Sequence, residues 1–393
     1  MQMWPIYDQE QIDAVAQVLA SGKVNAWTGP DVRAFEAEYC AYTGAKHAIA
    51  MANGTVTLDA AMLGLGLQPG DEVIVTPRSF IASASSVMLA GGVPVFVDVD
   101  PDTQNITPET IAPAITPRTR GIIPVHLGGW PCDMDGIMDL ARAHDLWVIE
   151  DCAQAHGAMI GDRHVGTIGT LGSFSFCQDK IMTTGGEGGL LLTDNSDLWS
   201  RIWSYKDHGK GYDTVFNTEH PPGFRWLHDS GPGTNLRMNG PSAALGRIQL
   251  KRLDAWRAHR TANADILHKA LATCPAFRVP MPPDGVTHAF YRFYAFVRPE
   301  TLAPGWSRDR IIAEIAEAGF PAFSGSCSEI YLEKTFTSRG LGPKEPLPVA
   351  RELGDTSLAF LVDPAWSAEN VARLAQVIVD AGQKATARHM AQG

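Results

Sequence analysis

The chain has 393 residues, 32 of them Lys or Arg and 43 Asp or Glu, for a formal charge of −11, with 45% apolar and 19% charged residues. A chain of this length can hold more than one core-bearing unit, and its composition is that of a globular protein. The acidic balance argues against nucleic acid or an anionic membrane as main partner, since both require a basic face. The sequence does not open with a basic stretch and an apolar run. No stretch approaches the ~20 apolar residues of a membrane span, so a cytoplasmic protein is expected. The six cysteines, at 40, 132, 152, 177, 274 and 327, form no C-x-x-C pair. Neither a zinc site nor a disulfide framework is signalled, and no metal is expected.

In chain order, Ile12, Val15, Ala16 and Leu19 fall at helical spacing before Ser21-Gly22, which predicts about one helix before residue 45. From about residue 45 to 195, apolar runs at 72–75, 93–97, 121–125, 146–149, 173–176 and 189–192 alternate with segments of helical length at 57–67, 80–90, 108–115 and 135–144. This alternation predicts an α/β unit with a mostly parallel sheet covered on both faces. In such sheets ligands sit beyond the carboxyl ends of the strands. Residues 205–240 read as a long loop rich in Gly, Pro, His and Trp, a kind that is usually functional. A long helix over 241–268, a strand over 289–297 and a helix over 307–318 then suggest a smaller α+β unit. The expected division is a large domain over residues 1–250 and a small one over 251–393.

Three segments carry candidate chemistry. Asn53-Gly54-Thr55 opens a helix, where a close-approaching glycine and a hydroxyl can hold an anion or simply cap the helix. Asp151, in Glu150-Asp151-Cys152-Ala153-Gln154-Ala155-His156-Gly157, follows an apolar run and belongs at a strand's carboxyl end, where an acid can hold a metal, a ribose or a protonated ring nitrogen. Lys180 lies between an apolar strand and the glycine-dense turn at 185–189. A lysine in such a pocket can lose its proton and attack a carbonyl, forming a Schiff base. Gly64 to Gly70 ends a helix and does not fit G-x-G-x-x-G, and neither a P-loop nor H-E-x-x-H occurs. His126, His156 and His208 show no metal spacing and read singly as hydrogen-bonded structural residues.

The order and spacing of N-G-T (53–55), P-x-S-F-I-A (77–82), E-D-x-A-Q-A-x-G (150–157), S-F-S-F…K (173–180), G-E-G-G (186–189) and G-T-N-x-R-M (233–238) resemble the sugar aminotransferases of the DegT/DnrJ/EryC1/StrS family over essentially the whole chain. The resemblance implies the fold type I, aspartate-aminotransferase-like architecture and pyridoxal 5′-phosphate as cofactor. It implies that Lys180 carries the cofactor and shuttles the proton, and that Asp151 pairs with the pyridinium nitrogen, keeping the ring an electron sink. Gln154 matches the residue near the phenolic oxygen, Phe80 the aromatic stacked on the ring, and Gly54, Thr55 and Ser175 the phosphate contacts. Asn235 matches an asparagine that reaches the neighbouring subunit's cofactor, which implies a homodimer with shared active sites.

The implied reaction moves an amino group from L-glutamate, or glutamine, to a keto sugar, expected to be a nucleotide-linked 4-keto-6-deoxy sugar. Two departures from the family pattern stand out. The turn T-T-G-G-E-G-G has one glycine more than T-G-E-G-G, for which a local adjustment is expected. The 206–230 loop is longer than in many members, with His208 a candidate substrate-side residue. A cyclitol (inosose) aminotransferase is an alternative. A sugar 3-dehydratase is another, although those enzymes carry histidine where Lys180 stands. A transcription regulator built on the same fold would need a helix-turn-helix and a basic surface.

Overall fold

The computed structural model describes residues 4–223 and 227–386. Helix α1 (Gln9–Ser21) starts where Asp8 accepts from the Gln11 N–H and ends at Gly22, whose φ of 67° closes the turn. Helix α2 (Asp31–Thr43) follows, so residues 4–44 hold two helices rather than about one. Its buried Val32, Phe35 and Tyr39 stand three and four apart, a stripe that suffices to fasten it to the core.

The expected strand–helix alternation then runs β1 (His47–Met51), α3 (Gly54–Gly64), β2 (Glu72–Val75), α4 (Ala82–Leu89), β3 (Val93–Phe96), α5 (Pro108–Ile111), β4 (Thr119–Ile123), α6 (Met134–Ala143) and β5 (Trp147–Asp151). A short hairpin, β6 (Met159–Ile160) and β7 (Arg163–His164), precedes β8 (Leu171–Ser175) and β9 (Gly189–Thr193). The seven-stranded sheet has the order β1-β9-β8-β5-β4-β2-β3. Pairing is parallel from β3 through β2, β4 and β5 to β8. Only β9 is reversed, antiparallel to both β8 and β1. Strands β2, β8 and β9 are buried along their whole length, which is why β2 and β9 read as near-continuous apolar runs, while β8 buries Ser173 and Ser175 beside its apolar residues. The carboxyl ends of β1, β2, β4, β5 and β8 therefore share one edge.

The segment expected as a loop contains the end of α7 (Ser196–Lys206) and a short helix, α8 (Tyr212–Phe216). Residues 224–226 of the 206–230 loop lie outside the described residues. Helix α9 (Gly240–Leu271) runs unbroken for 32 residues, with Asn239 as its cap. Its Ala243, Leu250 and Leu253 pack with Phe35, Tyr39 and Phe176. Its Ala264, Leu267 and Leu271 pack into a second core with Phe293, Phe360 and Leu374. The division expected at 250/251 thus falls inside a helix that serves both cores.

Beyond it lie β10 (Phe277–Arg278), β11 (Val286–Thr287), β12 (Phe293–Val297), α10 (Arg308–Glu317), α11 (Lys334–Thr337), α12 (Pro348–Thr356), β13 (Ser357–Phe360) and α13 (Ala368–Thr386). Strands β10, β12 and β13 form a small antiparallel sheet. The strand expected over 289–297 begins only at Phe293, because Phe290 sits at φ 46°. Among the described residues, no helix is long and apolar enough to cross a membrane.

Candidate active site

A cleft of about 1090 Å³ opens at the shared carboxyl edge of the sheet. Asp151, the last residue of β5, is 5% exposed and faces it. Its Oδ2 accepts from the Ser83 hydroxyl at 2.7 Å and its Oδ1 from the Ala153 N–H at 3.1 Å. No lysine or arginine among the described residues pairs with this carboxylate. A buried carboxylate without a protein cation is suited to a cationic ligand group. Gln154 Oε1 accepts from the Gly128 N–H at 2.7 Å, so its amide N–H₂ is the end available for donation to a ligand.

Asn53 caps α3, accepting from the N–H groups of Thr55 and Val56 at 3.0 Å each. The cap read for this turn is present, and Gly54, Thr55 and Ser175 line the same cleft. The approach of helix to sheet is close. A Cβ on Gly54 would lie 2.5 Å from Ser175 Cβ, and one on Gly189 would lie 2.3 Å from the Asn53 carbonyl oxygen. Phe80 is 69% exposed at the cleft, so it is not part of the core.

Lys180 stands on the turn after β8. Its N–H donates to the Cys177 carbonyl at 3.1 Å, and its own carbonyl accepts from the Trp4 indole N–H at 2.8 Å. The Thr183 N–H donates to Gln249 on α9 at 2.8 Å. Gly185 and Gly186 take φ values of 89° and 120°, conformations that favour glycine. Lys180 Nζ lies 4.9 Å from the centroid of Tyr291.

Tyr291 and Arg292, which sequence reasoning missed, also line the cleft. They reach it because the chain turns at Phe290. That turn is held by His288, whose ring stacks on Phe290 at 4.0 Å and whose Nδ1 accepts the Phe290 N–H. The buried Arg260 also holds it, donating to the Phe290 and Tyr291 carbonyls. The Tyr291 hydroxyl donates to Asp179, and Arg292 Nη2 lies 3.5 Å from the same carboxylate oxygen. Burial alone would raise the Asp179 pKa. The Lys180 charge, the Tyr291 hydroxyl and Arg292 hold it below the usual carboxylate value. Burial pushes the Tyr291 phenol up.

Behind the cleft, Glu150 is fully buried and accepts from the N–H groups of Gly166, Ile168 and Gly169 and from His126 Nε2. His126 Nδ1 accepts the Cys132 N–H, which fixes the tautomer. With these lone pairs spent, the His126–Glu150–Cys152 cluster braces β5 rather than binding a metal. His156 has the structural role read for it. Its ring bridges the Tyr39 hydroxyl at 3.1 Å and the Ser175 carbonyl at 2.8 Å, and burial lowers its pKa to about 4.

Two of the predicted residues do not line the cleft. Asn235 is exposed, and its Oδ1 accepts from the Arg237 N–H at 3.3 Å. His208, the candidate substrate residue, is also exposed, at φ 61°, and its N–H donates to the Thr234 carbonyl at 3.0 Å. Their separation in sequence hides that they are neighbours on one surface segment.

A lysine and an uncompensated acid at the edge of this mixed sheet define the fold type I class of pyridoxal-phosphate aminotransferases. Within it, the DegT/DnrJ/EryC1/StrS aminotransferase family matches residues 5–379, and the chain belongs to that family. Over 289 residues, 74% of this chain and 73% of the relative, it is 38% identical to the spore coat polysaccharide biosynthesis protein SpsC of Bacillus subtilis (strain 168). The aminotransferase from Psychrobacter cryohalolentis superposes with a TM-score of 0.96 at 52% identity, covering 98% of this chain and 99% of that one. DesV of S. venezuelae, solved with a ketimine intermediate, gives 0.85 at 30% identity, covering 95% and 94%.

Family membership indicates pyridoxal 5′-phosphate as the cofactor. The residues present fit it. Asp151 lacks a protein cation, Phe80 offers an exposed ring, and the hydroxyl-bearing Thr55 and Ser175 line the cleft at the start of α3.

Proposed function

We propose that the chain transfers an amino group from L-glutamate to a keto sugar, specifically a nucleotide-linked 4-keto-6-deoxy sugar, with Lys180 as the catalytic lysine. The observation that carries this reading is that Lys180, Asp151, Gln154, Phe80 and the Gly54–Thr55–Ser175 cradle, read from four separate motifs, line one cleft. SpsC, named for polysaccharide biosynthesis, supports a sugar acceptor.

The bound cofactor supplies the electron sink for the reacting carbon. Asp151 keeps the positive charge on the ring nitrogen, and Ser83 and Ala153 orient that carboxylate. The free amide N–H₂ of Gln154 would donate to the cofactor's phenolic oxygen, and the exposed Phe80 ring would cover the cofactor ring. Lys180 Nζ would serve as the general base that takes the proton from the donor's α-carbon and as the acid that delivers a proton to the sugar's reacting carbon. Asn235 and His208, exposed together, serve the partner subunit's site in a homodimer, Asn235 at the phosphate and His208 at the substrate.

Incubation of the purified enzyme with L-glutamate and a panel of nucleotide-linked keto sugars tests the reading. Amino sugar with an equal amount of 2-oxoglutarate is expected, and deoxygenation without amino transfer would overturn it. For the shared site, mixing Lys180→Ala with Asn235→Ala chains should restore activity that neither variant has alone.

A further inference from the structure

Among the described residues lining the cleft, the charged side chains are Asp151, Asp179, Glu187 and Glu333 against Lys180 and Arg292. Once Lys180 is engaged with the cofactor, Arg292 is the one permanent cation these residues leave for a substrate anion. Its present partnership is loose. The 3.5 Å separation from Asp179 exceeds the 2.7–2.9 Å of a charge-assisted hydrogen bond, and the Asp179 side chain is 54% exposed. The Tyr291 hydroxyl donates to the same Asp179 oxygen. Tyrosine and arginine together thus already hold a carboxylate, and it belongs to a side chain that solvent can release.

We infer that the Tyr291 hydroxyl and the Arg292 guanidinium form the carboxylate site for the amino-acid donor, with Asp179 holding that site until the donor exchanges for it. This rests on the aminotransferase reading above and names the residues that select its first substrate. Position decides for the donor over the sugar nucleotide. Lys180 Nζ and Arg292 Cζ lie 4.9 and 4.2 Å from one ring, that of Tyr291. A donor whose amino nitrogen stood near Nζ would bring its carboxylates within one amino-acid length of Arg292. A nucleotide diphosphate is separated from the reacting carbon by a whole sugar ring.

The test is the first half-reaction of the pyridoxal-phosphate-loaded enzyme, followed as loss of the cofactor's visible band against donor concentration. Arg292→Gln should keep the band of the resting enzyme, which shows an intact fold and cofactor site. It should need on the order of 10- to 100-fold more L-glutamate for half-saturation, with Arg292→Lys between the two. A parallel series with L-glutamine locates the contact: an equal loss for both donors assigns the α-carboxylate, and a loss for glutamate alone the side-chain carboxylate. Binding of UDP and dTDP, measured by calorimetry, should be unchanged. Unaltered glutamate saturation in Arg292→Gln, or weakening of UDP or dTDP instead of the donor, overturns the inference. If the wild-type band responds to no amino acid, the aminotransferase reading itself fails, a result distinct from any behaviour of the variant.

Discussion

Replacing Gly54 by Ala tests the phosphate cradle most sharply. Gly→Ala inside a helix ordinarily stabilises by about 1 kcal/mol. Here the added methyl would lie 2.5 Å from Ser175 Cβ, 3.0 Å from its Cα and 3.0 Å from its Oγ. Ordinary contact begins at 3.4 Å, so α3 and β8 must part by about 1 Å. The obstacle is a strand in mid-sheet rather than the tip of a flexible side chain, so relaxation is not cheap. Overpacking of this kind costs about 1–3 kcal/mol, which offsets or exceeds the helical gain. The cofactor-free protein should therefore lose between nothing and about 2 kcal/mol in urea unfolding. Cofactor affinity should fall further, because a shift of this size misplaces hydroxyl and N–H donors aimed at a charged phosphate. Losing one such hydrogen bond is worth about 1.5–3 kcal/mol, or roughly 10- to 100-fold in the Kd from absorbance titration with pyridoxal phosphate. A Gly54→Ala protein that binds the cofactor as tightly as wild type would refute the reasoning.

Three further outcomes follow from the same geometry. Burial holds the His156 pKa at about 4, below the ~6.5 of an unfolded histidine, so the unfolded chain takes the proton first as pH falls. Stability should then decline from about pH 6.5 to pH 4, with about 3 kcal/mol owed to this residue and His288 acting in the same direction. His156→Phe should lose about 1–3 kcal/mol at pH 7, through the unpaired Ser175 carbonyl and Tyr39 hydroxyl, yet show a shallower acid slope of urea midpoints. An unchanged slope contradicts this. Trp4→Phe deletes the indole donor to the Lys180 carbonyl and should cost about 1 kcal/mol in thermal unfolding, while an unmoved midpoint would show that the contact carries no stability. Because four donors occupy Glu150, dialysis against EDTA should leave activity intact, and a loss restored by a divalent cation would show that the cluster behind β5 binds metal.

What was legible in the sequence is what local chemistry encodes. Strands β2 and β5 carry apolar runs that mark the sheet, and the polar residues that close β5 and β8, Asp151 and Ser175, line the cleft. The Asn53 cap is likewise a local signal. Helix α2 was missed although Val32, Phe35 and Tyr39 have helical spacing, because its apolar stripe is narrow and its other residues are mostly polar. Tyr291 and Arg292 were missed for a different reason. The run from Ala289 to Val297 looks like one strand, and only the distant Arg260 and the His288–Phe290 stack turn its first residues into the cleft. Trp4 lies 176 residues from the lysine whose carbonyl it holds, with no signal in the sequence to join them. Asn235 and His208, both chosen for the site, lie on an outer segment, and a single chain's sequence does not show what faces it.

The measurement closest to the central claim is chemical trapping of the cofactor. Protein loaded with pyridoxal 5′-phosphate, reduced with borohydride, digested and mapped by mass spectrometry should carry the reduced cofactor on the peptide containing Lys180, and the visible band should be absent from Lys180→Ala. Cofactor trapped on another lysine, or none trapped at all, would contradict the account.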